Sequence, residues 1–133
     1  MAKSRILVVD DEPMILDLLV TRLELAGYQI VTARDGHEAL KCIADAQPHA
    51  MLLDVNMPRL DGFGVLRHLK STGRIMHLPV MVLTARYQAS DVQEAIQLGA
   101  RDFLAKPFTD NQLLVRVGRL LRSAQPLGGV ALV

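Results

Sequence analysis

The sequence predicts an α/β protein with a doubly wound (βα)₅ fold, in which helices cover both faces of a five-stranded parallel sheet. Two observations lead to this prediction: short, continuous apolar runs recur along the chain, and segments with helical periodicity separate them. Apolar runs without polar alternation are typical of strands that are buried on both faces, as in parallel sheets. Strands that alternate with helices form right-handed crossovers, which place helices on both sides of the sheet.

The predicted strands are short and mostly aliphatic. Four of them run directly into a polar residue: 6–9 into Asp10, 50–53 into Asp54, 80–83 into Thr84 and 103–105 into Lys106. Residues 29–33 form a further predicted strand, which we place nearer an edge of the sheet because its apolar character is weaker.

Five helices are predicted between and after these strands. They cover residues 13–26, 37–46, 63–71 and 89–98, and a last segment that begins near Thr109. Pro13 suits a first helical turn, where its missing N–H is not needed, and Gly27 is placed to end that helix. Thr109 is a suitable N-cap, and the apolar residues after it share one helical face up to Arg122.

The size and composition indicate one domain that needs no disulfide or metal to fold. The chain has 133 residues, of which half are apolar, and these residues suffice for an aliphatic core. The single Cys42 excludes an internal disulfide framework and suits a reducing compartment; within a predicted helix it is interpreted as a small core residue. Residues 123–133, with Pro126 and Gly128-Gly129, are predicted to form a linker or flexible tail.

The charge and hydropathy patterns exclude several classes of function. Fifteen Lys and Arg residues against fourteen Asp and Glu residues give a net charge of +1, which argues against direct nucleic-acid binding. No charged segment followed by an apolar stretch opens the chain, and no apolar run approaches the roughly 20 residues that span a bilayer. We therefore expect a cytoplasmic domain that does not contact a membrane.

Five polar residues are predicted to converge although they are far apart in the sequence: Asp10, Asp11, Asp54, Thr84 and Lys106. Each lies at the carboxyl end of a predicted strand, where open α/β sheets bind their ligands. Clustered carboxylates repel one another unless a cation neutralises them, and oxygen ligands without a closed cage suit Mg²⁺. A carboxylate beside Mg²⁺ can act as a nucleophile toward phosphorus, while a lysine and a hydroxyl contact the phosphoryl oxygens.

Each of these residues also has an ordinary structural interpretation. Asp10 and Asp11 could serve only as helix N-terminal charges, and Asp54 could be a turn residue. Thr84 suits a strand or a helix cap, and Lys106 suits a solvated loop. Their joint occurrence at four strand ends favours a functional site.

Four motifs, in this order and spacing, resemble the receiver domain of bacterial two-component response regulators over about residues 3–122. They are VVDDEP at 8–13, LLDVNMPRLDG at 52–62, VLTA at 82–85 and FLAKPF at 103–108. The resemblance implies that residues 1–122 form a receiver domain with a flavodoxin-like fold and the strand order 2-1-3-4-5.

The resemblance also implies roles for the acidic residues. Asp54 would be the phosphoacceptor and a metal ligand. Asp11 would bind Mg²⁺ directly, Asp10 would act through water, and the backbone carbonyl of Asn56 would be a further ligand; Mn²⁺ can substitute for Mg²⁺. Asn56 and Arg86 stand two residues after Asp54 and Thr84, at positions that influence the access of water in this family.

The remaining implied roles concern the switch. Thr84 and Phe103 resemble the switch pair, in which the hydroxyl moves to the phosphoryl group and the aromatic ring turns inward. Phe103 replaces the commoner tyrosine and keeps the ring. Lys106 would hold the phosphoryl group, and the bond between Lys106 and Pro107 resembles the family's cis peptide.

The function predicted from these residues is a phosphorylation-dependent signalling switch in a phosphorelay. A histidine kinase or a histidine phosphotransfer protein would donate the phosphoryl group to Asp54, and the surface of the fourth helix, fifth strand and fifth helix would change for an unknown output domain or protein. No turnover of a separate substrate is expected, because Asn56 cannot serve as the general acid that an aspartyl-phosphate phosphohydrolase needs. A phosphorylation-independent interaction module is the alternative, and homodimerisation through the fourth and fifth helices stays open.

Overall fold

The computed structural model describes residues 3–123, in which strands and helices alternate along the chain. The elements are β1 (Arg5–Val9), α1 (Pro13–Leu25), β2 (Gln29–Ala33), α2 (Gly36–Ala46), β3 (Ala50–Leu53), α3 (Gly62–Ser71), a 3₁₀ turn (Arg74–Met76), β4 (Val80–Thr84), α4 (Ala89–Gln97), β5 (Asp102–Ala105) and α5 (Asp110–Arg122).

The five strands form one parallel sheet in the order β2-β1-β3-β4-β5. The predicted fold class is therefore confirmed, and β2 is an edge strand as expected. Because the chain crosses from β2 back over β1 to β3, the strand order reverses between β1 and β3. That reversal is the point at which ligands bind in sheets of this kind. Apart from Ser123, the predicted tail 123–133 lies outside the described residues.

The sheet separates two aliphatic cores because successive side chains of a strand point to opposite faces. On one face, alternate residues of β1, β3 and β4 pack against α2, α3 and α4. On the other face, the intervening residues and β5 pack against α1 and α5. The central strands β1, β3 and β4 are almost completely buried, which explains their unbroken apolar sequences.

Local sequence signals determine where most of the helices begin. Pro13 occupies the first turn of α1, and the side chains of Asp35 and Asp61 cap α2 and α3 by accepting N–H bonds from Glu38 and Gly64. Thr109 forms a reciprocal capping box at the start of α5. The N-cap of α4, Gln88, makes no side-chain bond, so α4 begins without this stabilisation.

The structure differs from the sequence expectations in three details. Thr84 belongs to β4, because parallel pairing with β5 extends to Thr84 and Ala105. The 3₁₀ turn at Arg74–Met76 has no hydrophobic period and was not predicted. Two arginines make specific bonds for which the sequence gives no signal: Arg116 pairs with Asp102, and Arg101 donates to the carbonyls of Ser123 and Met76. No helix within residues 3–123 is long and apolar enough to cross a membrane.

Candidate functional site

Three carboxylates meet where β1 and β3 end. Oxygen atoms of Asp10, Asp11 and Asp54 all lie within 4.8 Å of one another. The parallel register pairs Val9 with Leu53, which places the residue after each strand side by side. Asp10 and Asp54 are 1% and 5% exposed, whereas Asp11 is half-buried. Burial of this much acidic surface requires positive charge nearby.

Backbone N–H groups orient two of the carboxylates. The N–H of Glu12 donates to Oδ1 of Asp10 over 3.0 Å, and the N–H of Asn56 donates to Oδ1 of Asp54 over 3.1 Å. The backbone of Asp54 donates to the carbonyl of Val9 at 3.0 Å, which continues the β1–β3 pairing beyond the strands. These bonds fix the orientation of the Asp54 carboxylate without a contribution from any bound ligand.

Lys106 supplies positive charge to this cluster. Its ammonium group lies 2.7 Å from Oδ2 of Asp10 and 3.4 Å from Oδ2 of Asp54, and its side chain is only 13% exposed. Its backbone N–H donates to the carbonyl of Thr84 at 2.8 Å, so the end of β4 determines its position. The Lys106–Pro107 peptide bond is cis.

The pKa values follow from burial and from these charges. Burial raises the pKa of Asp54, and this effect outweighs the lowering by Lys106, by the nearby hydroxyl of Thr84 and by the N–H of Asn56. For Lys106, burial favours a lower pKa, but the hydrogen bond to Asp10 and the charge of Asp54 prevail and raise it. A further cation beside Asp54 would offset the desolvation that raises the pKa of its carboxyl group.

The donor set fits a small divalent cation. Asp10, Asp11 and Asp54 offer carboxylate oxygens, the hard ligands that Mg²⁺ prefers, and no sulfur or imidazole ligand belongs to this cluster of described residues. An open cleft of about 420 Å³ adjoins the cluster and is lined by Asp11 and Asn56 among others. This cleft leaves room for the waters that Mg²⁺ usually retains.

The loop after β4 connects the site to α4. Thr84 is 1% exposed, and its hydroxyl accepts the backbone N–H of Arg86 over 3.2 Å. The guanidinium group of Arg86 makes a two-point contact with the carboxylate of Asp91, at 3.1 and 3.0 Å. It also approaches Oδ1 of Asn56 at 3.5 Å and lies 5.7 Å from the ring centre of Phe63.

Phe103 lies outside the carboxylate cluster. It is half-buried in β5 and packs against the core that includes α3 and α4. The ring of Tyr87 meets it edge-on, with the ring centres 5.4 Å apart. Tyr87 itself is 61% exposed, so this aromatic pair forms part of the surface beside α4.

The structure thus brings together the five residues predicted to converge, with Asn56 at their rim and Phe103 one strand away. The sequence reasoning missed Asp91 and Tyr87. Asp91 in the first turn of α4 looks like an ordinary helix-dipole charge, and nothing in the sequence indicates that it is 3% exposed. The spacing between Arg86 and Asp91 across a helix start was the available signal, but it is too common to single out this pair.

Comparison with known proteins identifies relatives for nearly the whole chain. A family model described as the response regulator receiver domain matches residues 6–118. The response regulator MprA of Mycolicibacterium vanbaalenii is 47% identical over 125 residues, which are 94% of this chain and 53% of that relative. MprA of Mycobacterium avium is 48% identical over 92% of this chain and 53% of its own length. The chain therefore spans about half the length of the curated relatives it matches.

A solved structure gives the same result for the fold. The chemotaxis protein CheY4 of Vibrio cholerae superimposes with a TM-score of 0.84 at 33% identity, and the match covers 90% of this chain and 99% of that one. The receiver fold of this chain is therefore matched over nearly the whole of that protein.

Proposed function

The chain belongs to the response regulator receiver domain family, and we propose that phosphorylation of Asp54 switches it between two surface states. Membership makes it a receiver domain of two-component signalling. The proposal adds the acceptor residue, the cation and the responding surface. Its main support is one observation: the carboxylate of Asp54 is buried, oriented by the N–H of Asn56 and placed beside Lys106.

The reaction that suits this arrangement is transfer from a phosphohistidine. One carboxylate oxygen of Asp54 attacks phosphorus and forms a P–O bond, while the P–N bond breaks. The imidazole of the donor leaves with that electron pair and takes a proton from solvent. Lys106 is placed to hold a phosphoryl oxygen, because its ammonium group already lies 3.4 Å from Asp54. Catalysis then rests on positioning and charge stabilisation, as is general for phosphoryl transfer.

Asp10, Asp11, Asp54 and the backbone carbonyl of Asn56 would hold a Mg²⁺ ion, for which Mn²⁺ can substitute. When bound, the cation neutralises the negative charge that accumulates between the carboxylates and the incoming phosphoryl group. The close approach of three carboxylates supports this assignment, since Lys106 alone cannot balance their charge.

Thr84 and Phe103 are the proposed switch pair. The hydroxyl of Thr84 is buried and lies close enough to Asp54 to lower the pKa of its carboxyl group, which places it near an incoming phosphoryl group. Phe103 is half-buried beside the exposed ring of Tyr87, so its own ring has room at the surface to turn between an outward and an inward position. The responding surface is that of α4, β5 and α5, and it would act on an output domain or protein.

The proposed donor is a histidine kinase or a histidine phosphotransfer protein in the cytoplasm. The domain assists its own phosphorylation and dephosphorylation, and it turns over no separate substrate. Residues 1–122 form the receiver domain in this proposal, and residues 123–133 form a linker or tail.

The test is incubation with acetyl phosphate and Mg²⁺, followed by intact-mass measurement. We expect the wild type to gain one phosphoryl group, and we expect EDTA or Asp54→Asn to prevent that gain. Asp17→Asn changes an exposed aspartate of α1 and is the matched control, which should label as the wild type does. Equal labelling of Asp54→Asn would refute the assignment, and an unlabelled wild type would favour a phosphorylation-independent interaction module.

A further inference from the structure

Helix α4 has the least apolar anchoring of the five helices. Its only buried residues are Asp91 and Ala95, and one of these is a carboxylate. By contrast, α1 and α5 each bury three large aliphatic side chains. Elements with few buried apolar contacts open at low free energy, so polar contacts have a large influence on the position of α4.

Polar contacts reach α4 from two neighbouring segments. From α3, Arg67 forms an exposed ion pair with Glu94, and Lys70 donates to the carbonyl of Gln97 at 2.9 Å. From the loop after β4, Arg86 binds the buried carboxylate of Asp91 through two nitrogen atoms, Nε and Nη2. The Arg86–Asp91 pair is the stronger one, because two-point contacts to a desolvated carboxylate are less weakened by water than exposed pairs.

A short series of contacts leads from Asp91 to the acceptor. The guanidinium of Arg86 holds Asp91, and the backbone N–H of the same residue donates to the hydroxyl of Thr84. That hydroxyl lies close enough to Asp54 to lower the pKa of its carboxyl group. A hydroxyl can donate to one oxygen while it accepts an N–H, so a shift of Thr84 toward a phosphoryl group would draw Arg86 with it.

We propose that Asp91 is a positioning residue that couples the acceptor site to α4 through the Arg86–Asp91 pair. The inference rests on the proposed function, since it takes phosphorylation of Asp54 as the event that is transmitted. It adds the contacts that would transmit this event: Arg86 ties the loop 85–88 to α4, and Tyr87 joins the same loop to Phe103. Through these two contacts, a shift of the loop 85–88 would act on both α4 and β5.

The experiment measures amide hydrogen exchange in α4, residues 89–97, with and without acetyl phosphate and Mg²⁺. The readout is the ratio of exchange rates between the phosphorylated and unphosphorylated protein, which a purely structural role of Asp91 would leave unchanged. Coupled sites typically influence each other by about 5- to 150-fold. We expect a ratio of at least about fivefold in the wild type and a ratio close to one in Asp91→Asn.

Glu94→Gln is the matched control, because it removes a carboxylate from the same helix but from an exposed ion pair. We expect it to keep the wild-type ratio. Arg86→Lys breaks the two-point contact from the other side and retains the charge, so it should lower the ratio even if Asp91→Asn does not fold. Intact mass is measured on every sample to show the extent of labelling.

The outcomes separate this inference from the function on which it rests. A labelled Asp91→Asn or Arg86→Lys protein that retains the wild-type ratio overturns the coupling role and leaves the phosphoacceptor assignment intact. A labelled wild type whose α4 exchange does not change overturns the coupling role as well. A wild type that is not labelled overturns the proposed function, and the coupling role fails with it.

Discussion

Alanine in place of Gly62 should disturb the loop that carries the acceptor. Gly62 is buried at the start of α3, and its N–H donates to the carbonyl of Val55 at 3.1 Å. A Cβ atom there would lie 2.4 Å from the backbone oxygen of Asp54 and 2.7 Å from the Cα of Val55. Carbon atoms in favourable contact are about 3.5–4.0 Å apart, so backbone atoms beside the acceptor would have to move by about 1 Å.

The magnitude follows from two opposing effects. Overpacking against atoms that cannot rotate away destabilises a protein by about 1–3 kcal/mol. The lower chain entropy of alanine in the unfolded state offsets about 0.4–1 kcal/mol of this. We therefore expect Gly62→Ala to lower the free energy of unfolding by about 1–2 kcal/mol and to slow labelling of Asp54 by acetyl phosphate.

Urea denaturation of Gly62→Ala and Gly118→Ala tests this reasoning directly. Gly118 lies within α5, and the nearest atom to a Cβ placed on it would be Nη1 of Arg122 at 3.5 Å, an ordinary contact. Gly118→Ala should therefore raise the free energy of unfolding by about 0.5–1 kcal/mol. A Gly62→Ala protein as stable as the wild type would refute the close-packing argument.

Two further predictions concern charges. Lys106→Met should lower the free energy of unfolding by about 3 kcal/mol in EDTA, because it leaves buried carboxylates without their counter-charge. Urea titrations should show a smaller loss of stability when Mg²⁺ is present. An equal loss in both conditions would contradict cation binding. The N–H of Glu38 and the side chain of Arg59 lower the pKa of Asp35, so its stabilising effect exists above its unfolded pKa of about 3.9 and disappears as the pH falls through the folded value. The stability difference between the wild type and Asp35→Asn should thus be constant near neutrality and shrink below about pH 4 in acid-dependent urea titrations, whereas a difference that grows with acidity would contradict this sign.

The sequence predicts the sheet and the convergence of the site well because both depend on strong local patterns. The buried strands are unbroken apolar runs, and a parallel sheet necessarily brings their carboxyl ends to one edge. Asp10 and Asp54 meet for this reason alone, without any long-range information beyond strand order. The assignment of roles to Asn56 and Phe103 came instead from the family resemblance.

Features that depend on tertiary packing were not predictable in the same way. The burial of Asp91 arises from the position of α4 on the sheet and from the path of the preceding loop. The contact between Tyr87 and Phe103 joins two segments with no shared pattern. Arg59 has a positive φ of 66° and pairs with Asp35 across two loops, a pairing for which single-sequence periodicity has no signal.

The most direct test of the proposed switch is to determine which residue carries the phosphoryl group. An aspartyl phosphate is an acyl phosphate, which borohydride reduces to homoserine. The protein would be labelled with acetyl phosphate and Mg²⁺, reduced, digested and sequenced by mass spectrometry. We predict homoserine at position 54 and no other position, with its yield abolished by EDTA. Homoserine at another aspartate, or none in a protein that carries the phosphoryl mass, would contradict the role of Asp54.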